Sequence, residues 1–184
     1  MNNGAEYYSR FLSGDKKAIE GIIRCYRDGL IFYLFSIVGD MQKAEELATD
    51  TFIILYTQKP KFKGEGVFKT WLYSIGRHLA LDHRRRIKRV FEVPLEEASD
   101  ISDEESIEKN YIADEERIKL RRTINKLKPE YSQVLYLIYF EGFDNDGTAK
   151  IMDKSKRQVV DLLYRAKPAL KKQLEKEGYT YDEL

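Results

Sequence analysis

Among 184 residues there is one cysteine, two histidines, one tryptophan and four prolines, and no long uninterrupted apolar run. The lone Cys25 has no internal disulfide partner, and its apolar helical setting predicts a small buried hydrophobe in a reducing compartment. His78, His83 and one thiol make no metal-binding or nucleophilic constellation, and no glycine-rich phosphate loop occurs, so neither an enzyme nor a metal or cofactor is expected. The string DNDG at 144–147 has the look of a calcium loop but fails at both ends, with Gly142 in place of the first ligand and Asp153 in place of the final glutamate. The longest apolar run, Leu30 to Val38 with Ser36 inside it, is far short of the roughly 18 residues a membrane span needs and reads as a buried helix. The N-terminus carries no basic segment followed by an apolar stretch and a cleavage site, and a cytoplasmic location is expected.

Charge, by contrast, is abundant and uneven. Residues 1–89 hold 16 basic and 10 acidic groups, residues 90–116 hold 1 and 11, and residues 117–184 hold 15 and 10. Two basic blocks flank an acidic stretch that is poor in large apolar residues and without helical periodicity. Such a stretch reads as an extended linker.

The first block contains FKTWLYSIGRHLALDHRRRIKR at 68–89. Phe68, Trp71, Leu72, Ile75 and Leu79 recur at helical spacing, which places one face inward while Arg84, Arg85, Arg86, Lys88 and Arg89 project into solvent. Clustered guanidinium groups meet phosphates, and adjoining rings stack on unpaired bases, each base worth roughly 1–3 kcal/mol. An ordinary core helix with a charged end fits this segment equally well.

Upstream, Asp15 is placed to cap a helix through Ile19, Ile22, Ile23 and Tyr26 into the apolar run, which Gly39 ends. Asp40 caps the next helix, MQKAEELATDTFIILYTQK, with Ala44, Leu47, Phe52, Leu55 and Tyr56 inward, Glu45, Glu46 and Asp50 outward, and Pro60 as its stop. The second block predicts a helix over about 114–127, another from Pro129 to near Gly142, and a short one over about 145–152 capped by Asp144. Ser155 and Gln158 then form a capping box that starts a final helix. Two helices joined by so short a turn have the layout of a helix-turn-helix, with Val159, Leu162, Leu163 and Ala166 inward and Lys156, Arg157, Val160, Asp161, Tyr164 and Arg165 outward.

In this order, AEELATDTF at 44–52, FKTWLYSIGRH at 68–78, INKLKPEYSQVLYLIYFEGF at 124–143 and SKRQVVDLLYRAK at 155–167 give a resemblance that covers nearly the whole chain. It resembles bacterial RNA polymerase sigma factors of the extracytoplasmic-function group of the sigma-70 family. The resemblance implies an all-α fold of two small helical domains joined by an acidic linker. A promoter-melting bundle would occupy 1–89, the linker 90–113 and a C-terminal helix-turn-helix domain 114–184. It also implies a function: directing core RNA polymerase to promoters and assisting their opening.

By the same resemblance, Glu45, Glu46, Asp50, Phe52 and Tyr56 belong to the surface that docks on the polymerase clamp helices. Lys69, Trp71, Tyr73, Arg77 and His78, with Arg84, Arg85 and Arg86 of the basic segment, would capture the non-template strand of the minus-ten element. There a base is flipped into a pocket at an unstacking cost that binding must offset. Lys156, Arg157, Tyr164 and Arg165 would touch the minus-thirty-five element through base edges or phosphates. The implied partners are core RNA polymerase, promoter DNA and a dedicated anti-sigma factor, with no membrane insertion. The eleven carboxylates of the acidic stretch at 90–116 would occupy positively charged polymerase surface otherwise met by RNA, or the linker would act only as a tether.

The chain departs from the family pattern at several positions. His78 stands where asparagine is usual, and Gly147, Thr148 and Ala149 stand where Glu-Ile-Ala is usual, so a short or tilted helix is expected there. Val160 and Asp161 replace positions that are often basic or small and polar. Pro168 predicts a kink or break in the last helix. From the residues alone, two other functions stay open. A helix-turn-helix regulator with an N-terminal sensing or dimerisation domain would bind duplex operator by itself, whereas an all-helical interaction adaptor would bind no DNA.

Overall fold

The computed structural model describes residues 3–64, 66–91 and 115–179, and the regular elements among them are all helical. The first block comprises α1 (Asn3–Leu12), α2 (Ala18–Val38), α3 (Met41–Thr57) and α4 (Phe68–Phe91). The second comprises α5 (Glu115–Asn125), α6 (Pro129–Leu135) continued by a π-turn over Tyr136–Phe140, α7 (Asn145–Met152) and α8 (Lys156–Lys176). Helix α4 runs two residues past the expected boundary at 89. The rest of the acidic linker, including its carboxylates, lies outside the described residues.

Local chemistry sets most of these boundaries. The Asp40 carboxylate accepts the Lys43 amide at 2.9 Å, a cap worth about 1 kcal/mol, and Gly39 ends α2 in the left-handed conformation. Asp144 accepts the Gly147 amide at 2.7 Å, and Ser155 and Gln158 complete the reciprocal capping box of α8. Asp15 stands one turn before α2, which begins at Ala18 with Lys17 before it; its carboxylate pairs with Arg10 at 2.6 Å and also accepts from the Lys17 and Ala18 amides at the start of the helix. Pro168 does not break α8, which continues to Lys176. The proline is exposed, and Leu170 and Leu174 beyond it pack inward and hold the continuing turns.

The two blocks share one core. Ile22, Leu30, Leu34, Leu55 and Leu72 fill the first, while Ile124, Leu135, Leu137, Val159 and Ala166 fill the second, in one contiguous cluster. Each such Leu, Ile or Val side chain contributes on the order of 1.5–3 kcal/mol when fully buried. Phe52 is buried as expected, but Tyr56 is 46% exposed, packed only sideways against Phe11 at 5.5 Å between ring centroids. Cys25 is exposed rather than buried, because it lies on the outer side of α2.

Candidate nucleic-acid interface

Helix α4 is the centre of the site. Trp71 is half-buried in a ring cluster, with centroids 5.3 Å from Phe62, 5.4 Å from Tyr8 and 5.4 Å from Phe68. Phe62 belongs to the loop between α3 and α4. That loop is pinned where the Tyr8 hydroxyl donates to the Pro60 carbonyl at 2.6 Å. Loop and helix wall a cleft of about 780 Å³ lined by Phe62, Lys63, Lys69 and Trp71 on one side and by Asp144 and Lys150 of the second block on the other. Its size lies in the range of small-molecule and nucleotide sites.

The sequence-predicted residues of α4 fall into three groups. His78, Arg85 and Arg86 are exposed, as are Lys88 and Arg89, and Arg85 is ion-paired to Asp82 at 2.8 Å. Arg77 and Arg84 are half-buried. Arg77 lies beside the Tyr33 hydroxyl, whose pKa burial drives upward and Arg77 draws down, while burial lowers the pKa of Arg84. Lys69 and Tyr73 face the second block. Tyr73 is fully buried and donates to the Glu141 carboxylate at 2.5 Å; burial and then Glu141 hold its phenol well above the usual range. Lys69 donates to the Glu141 carbonyl at 2.7 Å and pairs with the carboxylate at 2.8 Å. Its ammonium sits 4.8 Å over the Phe143 ring.

The acidic face of α3 is open. Glu46 and Asp50 are exposed, and Glu45 is half-exposed. Glu46 pairs with Lys43 at 2.7 Å, and Glu45 is 3.8 Å from Arg27. Phe52, at 6% exposure, supports this face from beneath. Ile53, 50% exposed beside Tyr56, was missed by the sequence reading. An isoleucine off the inward stripe of an acidic helix was the signal available for it.

On α8, Lys156, Arg157, Tyr164 and Arg165 all face outward with Val160 and Asp161. Lys156 is tied to Asp146 at 2.8 Å, Arg165 donates to the Asp161 carbonyl at 3.2 Å, and Tyr164 is 80% exposed. Val159, Leu162 and Ala166 are buried behind them. Among the described residues, no cluster of three or more acids, histidines or cysteines could hold a metal, and no helix is long and apolar enough to cross a membrane.

Known proteins place both blocks. The family described as Sigma-70 region 2 matches residues 22–90, and Sigma-70, region 4 matches residues 117–170. RNA polymerase sigma-H factor of Pseudomonas aeruginosa is 29% identical over 175 residues, covering 90% of this chain and 91% of that protein. ECF RNA polymerase sigma factor SigW of Bacillus subtilis is 26% identical over 170 residues, covering 88% and 91%. The fold is shared with sigma factor RpoE solved in complex with the anti-sigma factor NepR from Bartonella quintana. That likeness has a TM-score of 0.66 at 19% identity and covers 86% of this chain and 98% of that one.

Proposed function

We propose, starting from the fact that the chain belongs to the extracytoplasmic-function group of the sigma-70 family, that it directs core RNA polymerase to a set of promoters and helps open them. The carrying observation is the succession of both sigma-70 regions in one chain. No covalent chemistry is involved. The work is differential binding of duplex, melted strand and polymerase.

In this reading residues 1–89 form the unit that docks on polymerase and takes the minus-ten strand, 114–184 the unit that takes the minus-thirty-five element, and 90–113 the tether. Glu45, Glu46, Asp50 and Tyr56, extended by the exposed Ile53, meet the polymerase clamp, and Phe52 shapes that surface from below. Trp71, His78, Arg85 and Arg86, with Lys69, Tyr73, Arg77 and Arg84, serve the non-template strand. Lys156, Arg157, Tyr164 and Arg165 serve the upstream duplex, positioned by phosphate contacts and selective through base edges. The protein works in the cytoplasm, and a dedicated anti-sigma factor is its inhibitor. Co-purification from unstressed cells would recover that inhibitor, and free factor there would count against it.

Run-off transcription with purified core enzyme on a genomic fragment library tests the main reading. Discrete start sites are expected only when the chain is added. Failure to associate with core polymerase, or association without start-site selection, overturns it.

A further inference from the structure

Two side chains on the outer face of α8 do nothing for the fold. Arg157, Val160, Asp161 and Tyr164 recur at spacings of three and four and so share one face, opposite the buried Val159, Leu162 and Ala166. Val160 is 46% exposed, and Asp161 is exposed beside it. Arginines stand one turn before and one turn after Asp161, at 157 and 165, the spacing at which opposite charges pair on a helix. Neither takes the carboxylate. Arg165 turns instead to the Asp161 backbone carbonyl at 3.2 Å, and the carboxylate keeps no ion-pair partner among the described residues.

Their place on the helix limits what they can meet. A helix lying in the major groove offers its first turns to base edges. Helix α8 begins at Lys156 behind its capping box, so Val160 and Asp161 fall in its second turn, while the Lys156 ammonium is drawn to Asp146 of α7 at 2.8 Å. A carboxylate brought against a polyanion is repelled unless a base donates to it. In the major groove guanine and thymine show that carboxylate only acceptors. Adenine sets its amino group beside the N7 acceptor, which suits an amide, whereas cytosine presents an N4 amino group that suits a carboxylate. Val160 has no polar atom, and its branched side chain is held in one rotamer within a helix. Its complement on a base edge is the C5 methyl of thymine.

We propose that Val160 and Asp161 select the upstream element: Val160 packs on a thymine methyl, and the Asp161 carboxylate accepts a hydrogen bond from the N4 amino group of a neighbouring cytosine. This code rests on α8 being the helix that reads the upstream duplex. It adds Val160 and Asp161 to Lys156, Arg157, Tyr164 and Arg165 as residues that discriminate between base pairs.

The test uses the full chain with core RNA polymerase on promoter fragments recovered by run-off, their upstream element randomised. Sequencing the transcribed fragments should show a cytosine and a thymine enriched at neighbouring positions. Asp161→Asn should move the preference at the cytosine position to adenine, because an amide pairs with adenine N6 and N7. A residue that only shaped the helix would not exchange one base for another. Deoxyuridine in place of the selected thymine removes the methyl group alone. It should lower wild-type run-off about fourfold, the value of one buried methyl, and leave Val160→Ala unaffected. Both side chains are exposed, so both variants should fold as the wild type does.

An element that Asp161→Asn leaves unchanged overturns the assignment of Asp161, and a wild type indifferent to deoxyuridine overturns that of Val160. Selection of a fully randomised duplex by binding to the full chain alone, at low salt, separates these outcomes from the parent reading. If no fragment yields a transcript, the sigma function falls and the bound duplexes still decide the code. Transcripts from elements without the cytosine and thymine overturn the code and leave the sigma function standing. A chain that neither transcribes nor retains duplex overturns both.

Discussion

Tyr164 is so exposed on α8 that truncating it removes little native packing. Tyr164→Ala should therefore leave the thermal midpoint nearly unchanged, within the roughly 0.5 kcal/mol typical of surface changes, while lowering run-off from promoters that depend on the upstream element. Its outward position was legible from helical spacing alone. Glu177 was not, because its partners are distant in sequence: its carboxylate accepts from Thr123 at 2.6 Å, Gln173 at 2.8 Å and Lys126 at 3.1 Å. Burial pushes its pKa up, but these donors outweigh burial and hold it below the usual value. A depressed folded-state pKa adds stability above the unfolded value that is lost as pH falls through the folded one. Urea midpoints measured at neutral pH and below about pH 4 should therefore fall further for wild type than for Glu177→Gln.

At the scale of the element, proline in a helix interior costs about 3 kcal/mol relative to alanine, yet α8 carries Pro168 and stays whole. Pro168→Ala should raise the thermal midpoint, read by circular dichroism, with the sites on its first turns untouched. The sequence marked helices α2, α3, α6, α7 and α8 because side-chain caps, a Pro start or apolar spacing punctuate them. Helix α1 was missed because it has no such signal. It is held by tertiary contacts of Tyr8 and Phe11, both buried. The burial of Tyr73, which the resemblance gave to the minus-ten strand, was not legible for a related reason: spacing on α4 identifies one inward stripe, and nothing in it reveals that a second block covers an adjoining one.

At the scale of the molecule, the blocks that charge patterning separates are joined by a shared core, the Glu141 contacts and Arg121 against Phe32. Calorimetry of the full chain should accordingly show a single cooperative transition, and Glu141→Ala, which leaves the Tyr73 hydroxyl and the Lys69 ammonium without their carboxylate, should lower its midpoint. That union was illegible because Glu141 is 68 residues from Tyr73 in sequence and is an ordinary acidic residue at the end of an apolar helix.

The π-turn over Tyr136–Phe140 amounts to a single residue inserted into an α-helix. The Glu141 amide there bonds to the Tyr136 carbonyl five positions back, at 3.2 Å. One position of a helix is about 100° of rotation. Excising a residue from this bulge would turn Glu141 and Phe143 away from α4 with both still encoded, so the register of one inserted residue decides whether the two blocks meet at Tyr73 and Lys69.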